Sequence, residues 1–191
     1  MDQKNHVLDV AKLRFDRFGY KKTTMDEISS DAKISKKTLY ELFTDKEDLF
    51  VSLFIREALS AREYLFTKIK DMDDPREKLI RLSGVIGDNF NEQHFMVKVL
   101  KDNGALYTPY LKKSFLEQTE EETIRIISEI IKDGIRKHLF RNIDPKIVGY
   151  MIFKLFQAFT YARTSTLEGD EINRKANIKV LMDFIMRALA R

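Results

Sequence analysis

Cysteine is missing from this sequence of 191 residues, and histidine occurs only three times. Without cysteine the chain can form neither disulfides nor thiolate metal sites, which is compatible with a reducing cytosol. His6, His94 and His138 lie far apart, and none has a second histidine or an acidic partner at the spacing of metal ligands. The sequence therefore predicts no metal site.

Long apolar runs are also missing. No stretch approaches 18 apolar residues, and the first residues lack the apolar segment of a signal peptide. We therefore expect a soluble, cytoplasmic protein with no membrane partner. The hydrophobic content of 43% is enough for one or two compact domains, and a net charge of +4 does not by itself indicate nucleic-acid binding.

Signatures of catalysis and of β-structure are absent as well. The chain has no nucleophile elbow, Walker loop or dinucleotide fingerprint, so we predict no catalytic residue, no enzyme activity and no cofactor. No segment alternates between apolar and polar residues for long enough to predict a sheet, so the expected fold class is all-α. Gly84 and Gly87 lie inside a helix predicted to start at Asp74-Pro75, and we interpret them as a close approach of another helix or a ligand.

Two short helices joined by a tight turn are predicted between residues 24 and 43. Thr24 and Glu27 have the spacing of a capping box, so a helix should start after Thr24. Ser35 can cap the second helix, on which Leu39 and Phe43 share one inward face. This pattern is typical of a helix-turn-helix.

The outward face of the second helix is cationic and hydroxylated, with Lys36, Lys37, Thr38 and Tyr40. The next helix should start at a possible capping box of Thr44 and Glu47, which places Lys46 in its first turn. A cation is disfavoured at the positive end of a helix dipole, and a nearby phosphate would reverse that effect. The pattern therefore favours a DNA-binding surface over a merely solvated lysine face.

The same stretch resembles the N-terminal signature of the TetR family of bacterial transcriptional regulators. The matching residues are Phe18-Gly19-Tyr20-Lys21-Lys22-Thr23-Thr24, Asp26-Glu27-Ile28, Ile34-Ser35-Lys36, Thr38-Leu39-Tyr40, Phe43 and Lys46. The family usually has glycine where Lys33 and Lys37 stand. If the turn keeps a positive φ at this position, a residue with a Cβ such as Lys33 is strained there by about 1 kcal/mol.

The resemblance implies a transcriptional regulator, in our interpretation a repressor, that binds a near-palindromic operator in double-stranded DNA and is released by a small-molecule inducer. The predicted DNA-binding residues are Thr24, Ser35, Lys36, Lys37, Thr38, Tyr40 and Lys46. Thr24, Tyr40 and Lys46 would hold phosphates, while Lys36, Lys37 and Thr38 would face base edges.

The rest of the chain predicts further helices, about nine in all. The expected architecture is a three-helix helix-turn-helix domain over residues 1–48, joined by a long helix to a C-terminal ligand-binding and dimerisation bundle over residues 49–191. In the bundle a short helix is predicted from Gln93 to Asn103, and a long one from Thr108-Pro109 to about His138.

Two helices of the bundle are predicted to form a homodimer interface. The helix from Pro145 to Arg163 is apolar almost all round, which is typical of a helix that is covered on every side. The final helix, from Ile172 to Ala190, has a similar pattern, and two such helices from each subunit would make a four-helix interface. TetR-like proteins dimerise in this way. The candidate interface residues are Ile152, Phe159, Leu181 and Ile185.

A ligand cavity is implied by the family resemblance and agrees with the many aromatic residues of the bundle, since small-molecule sites lie between bundle helices. The candidate lining residues are Phe90, Gln93, His94, Phe115, Phe156 and Gln157. The inducer is expected to be largely apolar.

The alternative function is a helical small-molecule-binding or enzymatic bundle with a vestigial DNA-binding motif. The intact set Lys36, Lys37, Tyr40 and Lys46 argues against this alternative.

Overall fold

A computed structural model of the chain describes residues 2–89, 95, 116–160 and 174–191. Within these ranges the chain forms eight helices: α1 Gln3–Phe18, α2 Met25–Asp31, α3 Lys36–Leu42, α4 Lys46–Thr67, α5 Pro75–Asn89, α6 Leu116–Arg136, α7 Pro145–Thr160 and α8 Arg174–Leu189. The described residues contain no β-strand, only an isolated bridge between Phe140 and Ala190. The all-α prediction is confirmed. The helix predicted from Gln93 to Asn103, and the start predicted at Thr108-Pro109, lie outside the described residues apart from the helical Phe95.

The chain divides into two compact units, Met1–Ser60 and Ala61–Arg191, and the division falls inside α4. We expected the boundary after residue 48, in the first turn of α4. The first turns of α4 belong to the N-terminal unit because they supply part of its core. The ring of Phe50 packs edge-on against Phe15 and Tyr20, with centroids 5.4 and 5.0 Å away, and Lys12 forms an ion pair with Glu57.

The helix-turn-helix forms as the sequence predicts. Thr24 caps α2 through a capping box in which its side chain accepts from the Glu27 amide while the Glu27 carboxylate accepts from the Thr24 amide. Ser35 caps α3 by accepting from the Thr38 amide at 3.0 Å. Lys33, in the turn between the helices, has a φ of +54°, as expected for the position where the family usually has glycine.

The start of α4 differs in detail from the expected capping box of Thr44 and Glu47. The Asp45 carboxylate accepts from the Asp48 amide at 2.8 Å, and the Asp48 carboxylate accepts from the Thr44 amide at 2.8 Å. The capping residue is therefore Asp45 rather than Thr44, and Asp48 accepts from the Thr44 amide instead of closing a reciprocal pair with Asp45. Aspartate accepts well from helix-start amides, and its charge suits the positive end of the helix dipole.

The C-terminal unit is built on four of its helices, with α6 packed against α7 and α8 packed against both α5 and α7. Its buried core consists of Ile69, Leu79, Ile127, Ile130, Ile131, Phe140, Ile152, Leu181, Met182, Ile185 and Leu189. Two glycines permit close approaches in this unit. A Cβ on Gly149 in α7 would lie 2.3 Å from the Ser128 Oγ of α6, and one on Gly134 would meet the ring of Phe140.

Gly84 does not fit the expected close approach. Among the described residues, no atom would lie within 4 Å of a Cβ placed on Gly84. Glycine at such a position lowers the stability of the helix, and no close packing compensates for this loss. The surroundings of Gly87 are outside what the structure describes.

The residue assignment of the dimer interface needs correction. Ile152, Leu181 and Ile185 are buried in the core of their own unit, so they have no exposed surface to offer a partner. The side chain of Phe159 lies outside the described positions. The same two helices do present exposed apolar side chains: Ile147, Tyr150 and Met151 on α7, and Val180 and Phe184 on α8. A helix that is apolar all round thus packs one face on its own core and exposes the other. The exposed apolar residues are not the candidate interface residues that the sequence suggested.

Candidate nucleic-acid interface

The outward face of α3 is as the sequence predicts. Leu39 and Phe43 are buried and anchor the helix on the N-terminal core. On the other side, the side chains of Lys36 and Lys37 are 64% and 87% exposed, and Tyr40 is 51% exposed. An exposed cationic helix of this kind fits the width of the DNA major groove.

Three hydroxyl-bearing candidates lie at the helix starts of the motif. The Thr24 hydroxyl donates to Glu27 at 2.9 Å, while the hydroxyls of Ser35 and Thr38 are 2.8 Å apart and hydrogen-bonded to each other. Their first role is therefore to fix the ends of α2 and α3. All three lie in or beside the motif's helix starts, where free amides favour anions such as phosphate.

Both lysines at the start of α3 face a carboxylate. The Lys36 Nζ lies 2.6 Å from the Asp26 Oδ2, and the Lys37 Nζ lies 3.9 Å from the Glu41 Oε1. The first ion pair joins α2 to α3, whereas the second lies within α3. Sequence reasoning missed the pair between Asp26 and Lys36, because the two residues are ten positions apart across a turn and have no helical spacing.

Lys46 has partners that the sequence did not predict. Its ammonium donates to the carbonyls of Tyr20 and Thr23, at 3.0 and 2.9 Å, and lies 4.4 Å from the centroid of the Tyr20 ring. These partners explain how a lysine is tolerated in the first turn of α4, where we had invoked a phosphate. The ammonium ties α4 to the segment before α2. Its role as a phosphate contact stays a prediction.

An arginine on α1 also holds the motif. The Arg14 side chain pairs with Glu27 at 3.0 Å and with Asp31 at 2.5 Å, so it reaches both ends of α2. The Thr24 amide and hydroxyl, followed by Arg14, hold the pKa of Glu27 below its ordinary value. No local spacing connects Arg14 to α2, so the sequence offered no signal for this contact.

The ligand-site candidates are placed only in part. Phe90, Gln93, His94 and Phe115 lie outside the described residues. Phe156 packs, half-buried, against the C-terminal core. Gln157 donates to Glu120 at 3.0 Å and accepts from the Lys154 ammonium at 3.2 Å, so it belongs to a polar network between α6 and α7.

Metal-binding clusters and membrane-spanning helices are both missing from the described part of the chain. No group of three or more His, Asp or Glu side chains there could hold a metal ion. None of its helices has the length and hydropathy to cross a membrane.

Comparisons with known proteins agree with this geometry. The family model "Bacterial regulatory proteins, tetR family" matches residues 7–53, which span α1 to the first turns of α4. The transcriptional regulator YhgD of Bacillus subtilis is 26% identical over 172 residues, which are 84% of each chain. The transcriptional repressor NicS of Pseudomonas putida is 26% identical over 98% of this chain and 92% of its own.

A solved structure shares the fold over nearly the whole length. The transcriptional regulator from Saccharomonospora viridis, solved in complex with choline, superposes with a TM-score of 0.78 over 98% of this chain and 97% of its own, at 18% identity. The helix-turn-helix geometry, the match of residues 7–53 and the two relatives agree with one another. The chain is similar to the TetR family of bacterial transcriptional regulators over residues 7–53, and over most of its length it is similar to proteins named as transcriptional regulators.

Proposed function

We propose that this regulator is a homodimeric repressor that binds a near-palindromic operator and leaves it when a small molecule binds the C-terminal unit. The observation that carries the proposal is the exposed outer face of α3, with Lys36, Lys37 and Tyr40 directed away from the core. In this arrangement Lys36, Lys37 and Thr38 read base edges, while Thr24 and Tyr40 hold phosphates.

Dimerisation is supported by the exposed apolar side chains of α7 and α8. Val180 and Phe184 are 70% and 62% exposed, and Tyr150 and Met151 lie outward on α7. Large apolar side chains clustered on two neighbouring helices are typical of a subunit interface. A dimer would present two copies of α3, and each copy would read one half of the operator.

Release by a small molecule is supported by the relatives. NicS is named as a repressor, and the Saccharomonospora viridis regulator was solved with choline. In this chain we place the inducer site in the C-terminal unit near Phe156 and Gln157, together with Phe90, Gln93, His94 and Phe115. An inducer would favour a conformation whose two α3 helices no longer match the operator spacing.

Selection of duplexes from a random-sequence library tests the proposal. The wild-type protein should recover a near-palindromic site, and a footprint should cover both halves. Lys37→Gly and Thr38→Ala should relax the sequence preference, because a good base contact contributes about 1–3 kcal/mol of discrimination. Recovery of unrelated sequences by the wild-type protein would refute the proposal.

The assembly is tested by Phe184→Glu. The charge would lie in the apolar interface, and sedimentation should show monomers or aggregates together with weaker binding to the selected site, since one head forms only half of the contacts. Lys179→Glu is a matched control, because Lys179 is an exposed polar position on the same helix. A soluble Phe184→Glu dimer with undiminished binding would locate the interface elsewhere.

A further inference from the structure

The ion pair between Asp26 and Lys36 joins the two helices of the DNA-binding motif. Asp26 lies in the first turn of α2 and Lys36 is the first residue of α3, and their charged atoms are 2.6 Å apart. The Asp26 carboxylate therefore lies on the same exposed side as a lysine that we assign to base reading. A carboxylate repels DNA phosphates, so its position there calls for a function.

The pair is well formed and also easily broken. Its two side chains are 60% and 64% exposed, and ion pairs in such exposed positions contribute little net stability. A base edge in the DNA would compete with Asp26 for the Lys36 ammonium. Lys36 thus has two alternative partners, one in the protein and one in the DNA.

We propose that Asp26 is a specificity-determining residue, which keeps Lys36 from the phosphates of random DNA and releases it to the base edge of the operator. The inference rests on the proposed function, because it assumes that α3 reads DNA. The Asp26 carboxylate competes with DNA for the Lys36 ammonium. A weak phosphate contact does not break the ion pair, whereas a good base contact does.

The two kinds of DNA differ in what they offer Lys36. Random duplexes offer phosphates, whose attraction falls steeply with salt, and the Asp26 carboxylate keeps Lys36 from them. The operator offers a directed hydrogen-bond acceptor at a fixed place in the major groove, which is a stronger partner. Without the Asp26 charge, Lys36 would bind phosphates on any sequence, and the ratio of specific to non-specific affinity would fall.

Glu41 offers a matched control. Its carboxylate faces the neighbouring Lys37, but the two charged atoms are 3.9 Å apart and both side chains are highly exposed. Glu41→Gln removes the same charge from the same surface without freeing a closely held lysine. Asp26→Asn and Glu41→Gln therefore have the same net charge and differ in the ion pair that each one breaks.

The experiment measures binding of the wild type, Asp26→Asn and Glu41→Gln to two duplexes at salt concentrations from about 50 to about 200 mM. One duplex carries the site selected by the wild-type protein, and the other carries the same base pairs in scrambled order. Asp26→Asn should bind the scrambled duplex about two- to fivefold more tightly, the factor that corresponds to one surface ion pair. Its salt slope there should steepen by about 0.9, the value for one more phosphate contact.

Binding to the selected site should change less in Asp26→Asn than binding to the scrambled duplex. Its salt slope should stay unchanged in Asp26→Asn, because Lys36 already contacts the base there, and Glu41→Gln should leave both slopes as in the wild type. The inference is overturned if Asp26→Asn changes the affinity for both duplexes equally, changes neither affinity, or behaves as Glu41→Gln does. Failure of the proposed function is a distinct result: the wild-type protein would then bind the selected and the scrambled duplex alike.

Discussion

Substitution of Lys46 distinguishes two roles of its side chain, a structural role in the protein and a direct contact with DNA. Its ammonium donates to the carbonyls of Tyr20 and Thr23 and lies over the Tyr20 ring. The Thr23 side chain is itself fully buried, and its hydroxyl donates to the Gly19 carbonyl at 2.9 Å. Lys46 is therefore part of what holds residues 19–24, the segment that leads into the Thr24 cap of α2.

The expected loss of stability follows from these contacts. Each hydrogen bond from the ammonium contributes about 1 kcal/mol, below the usual range for a charged donor because Lys46 is only half-buried. The contact with the Tyr20 ring adds about 0.5 kcal/mol. Removing a cation from the first turn of α4 returns about 0.5 kcal/mol. Lys46→Met, which keeps the length of the side chain, should therefore lower the free energy of unfolding by about 2 kcal/mol.

Urea denaturation measures that loss, and amide hydrogen exchange should locate it in residues 19–24. Lys46→Arg should recover part of the stability, since a guanidinium can still donate to two carbonyls. Lys22→Met is a control that removes an exposed lysine from the same segment, and it should be close to neutral.

DNA binding supplies the refuting result. If Lys46 acts by positioning, Lys46→Met should weaken binding to all duplexes while the salt slope stays unchanged. Unchanged stability combined with a slope lower by about 0.9 would mean that the ammonium leaves its carbonyls and binds a phosphate. The positioning role would then be wrong.

Four other substitutions test the backbone, the packing and one charge of the structure. Lys33→Gly removes strain of about 1 kcal/mol at a φ of +54°, partly offset by the freedom glycine gives the unfolded chain, so chemical denaturation should show equal or slightly higher stability; a clear loss would contradict the assignment. Gly84→Ala should stabilise by about 1 kcal/mol, since a Cβ there meets nothing within 4 Å. Gly149→Ala should destabilise by about 1–3 kcal/mol, because the Cβ would lie 2.3 Å from a hydroxyl oxygen; equal thermal shifts for the two alanines would refute this packing. The Arg76 side chain and amide hold the pKa of Asp74 at about 2, below its ordinary 3.8, so this stabilisation is complete above about pH 4 and is lost as the pH falls towards 2. Asp74→Asn should therefore flatten the acid limb of the unfolding curve between those values, and an unchanged limb would show that the pair does not persist in solution.

Local patterns predicted the DNA-binding motif well because its determinants are close in sequence. The cap at Thr24, the cap at Ser35 and the inward face of Leu39 and Phe43 each depend on residues within one or two turns. Short-range chemistry of this kind is visible in a sequence. The sequence left the turn at Lys33 open, and its φ of +54° shows that the left-handed turn forms although a lysine stands where the family usually has glycine.

Contacts between elements were not predicted. Arg14 reaches Asp31 across 17 positions and Lys46 reaches Tyr20 across 26, and no periodicity marks such pairs. The dimer candidates failed for a related reason. Apolar residues on every side of a helix do not indicate which face meets the chain's own core, and Ile152, Leu181 and Ile185 proved to be on that face.

The shortness of α3 has a consequence for how this protein can change over time. A helix of seven residues is too short to be stable alone, so its shape depends on the Ser35 cap and on the buried side chains of Leu39 and Phe43. The side chains exposed on its opposite face contribute little to folding. Lys36, Lys37 and Tyr40 can therefore be exchanged at small cost in stability, and descendants of this chain could acquire new target sequences while the scaffold beneath stays the same.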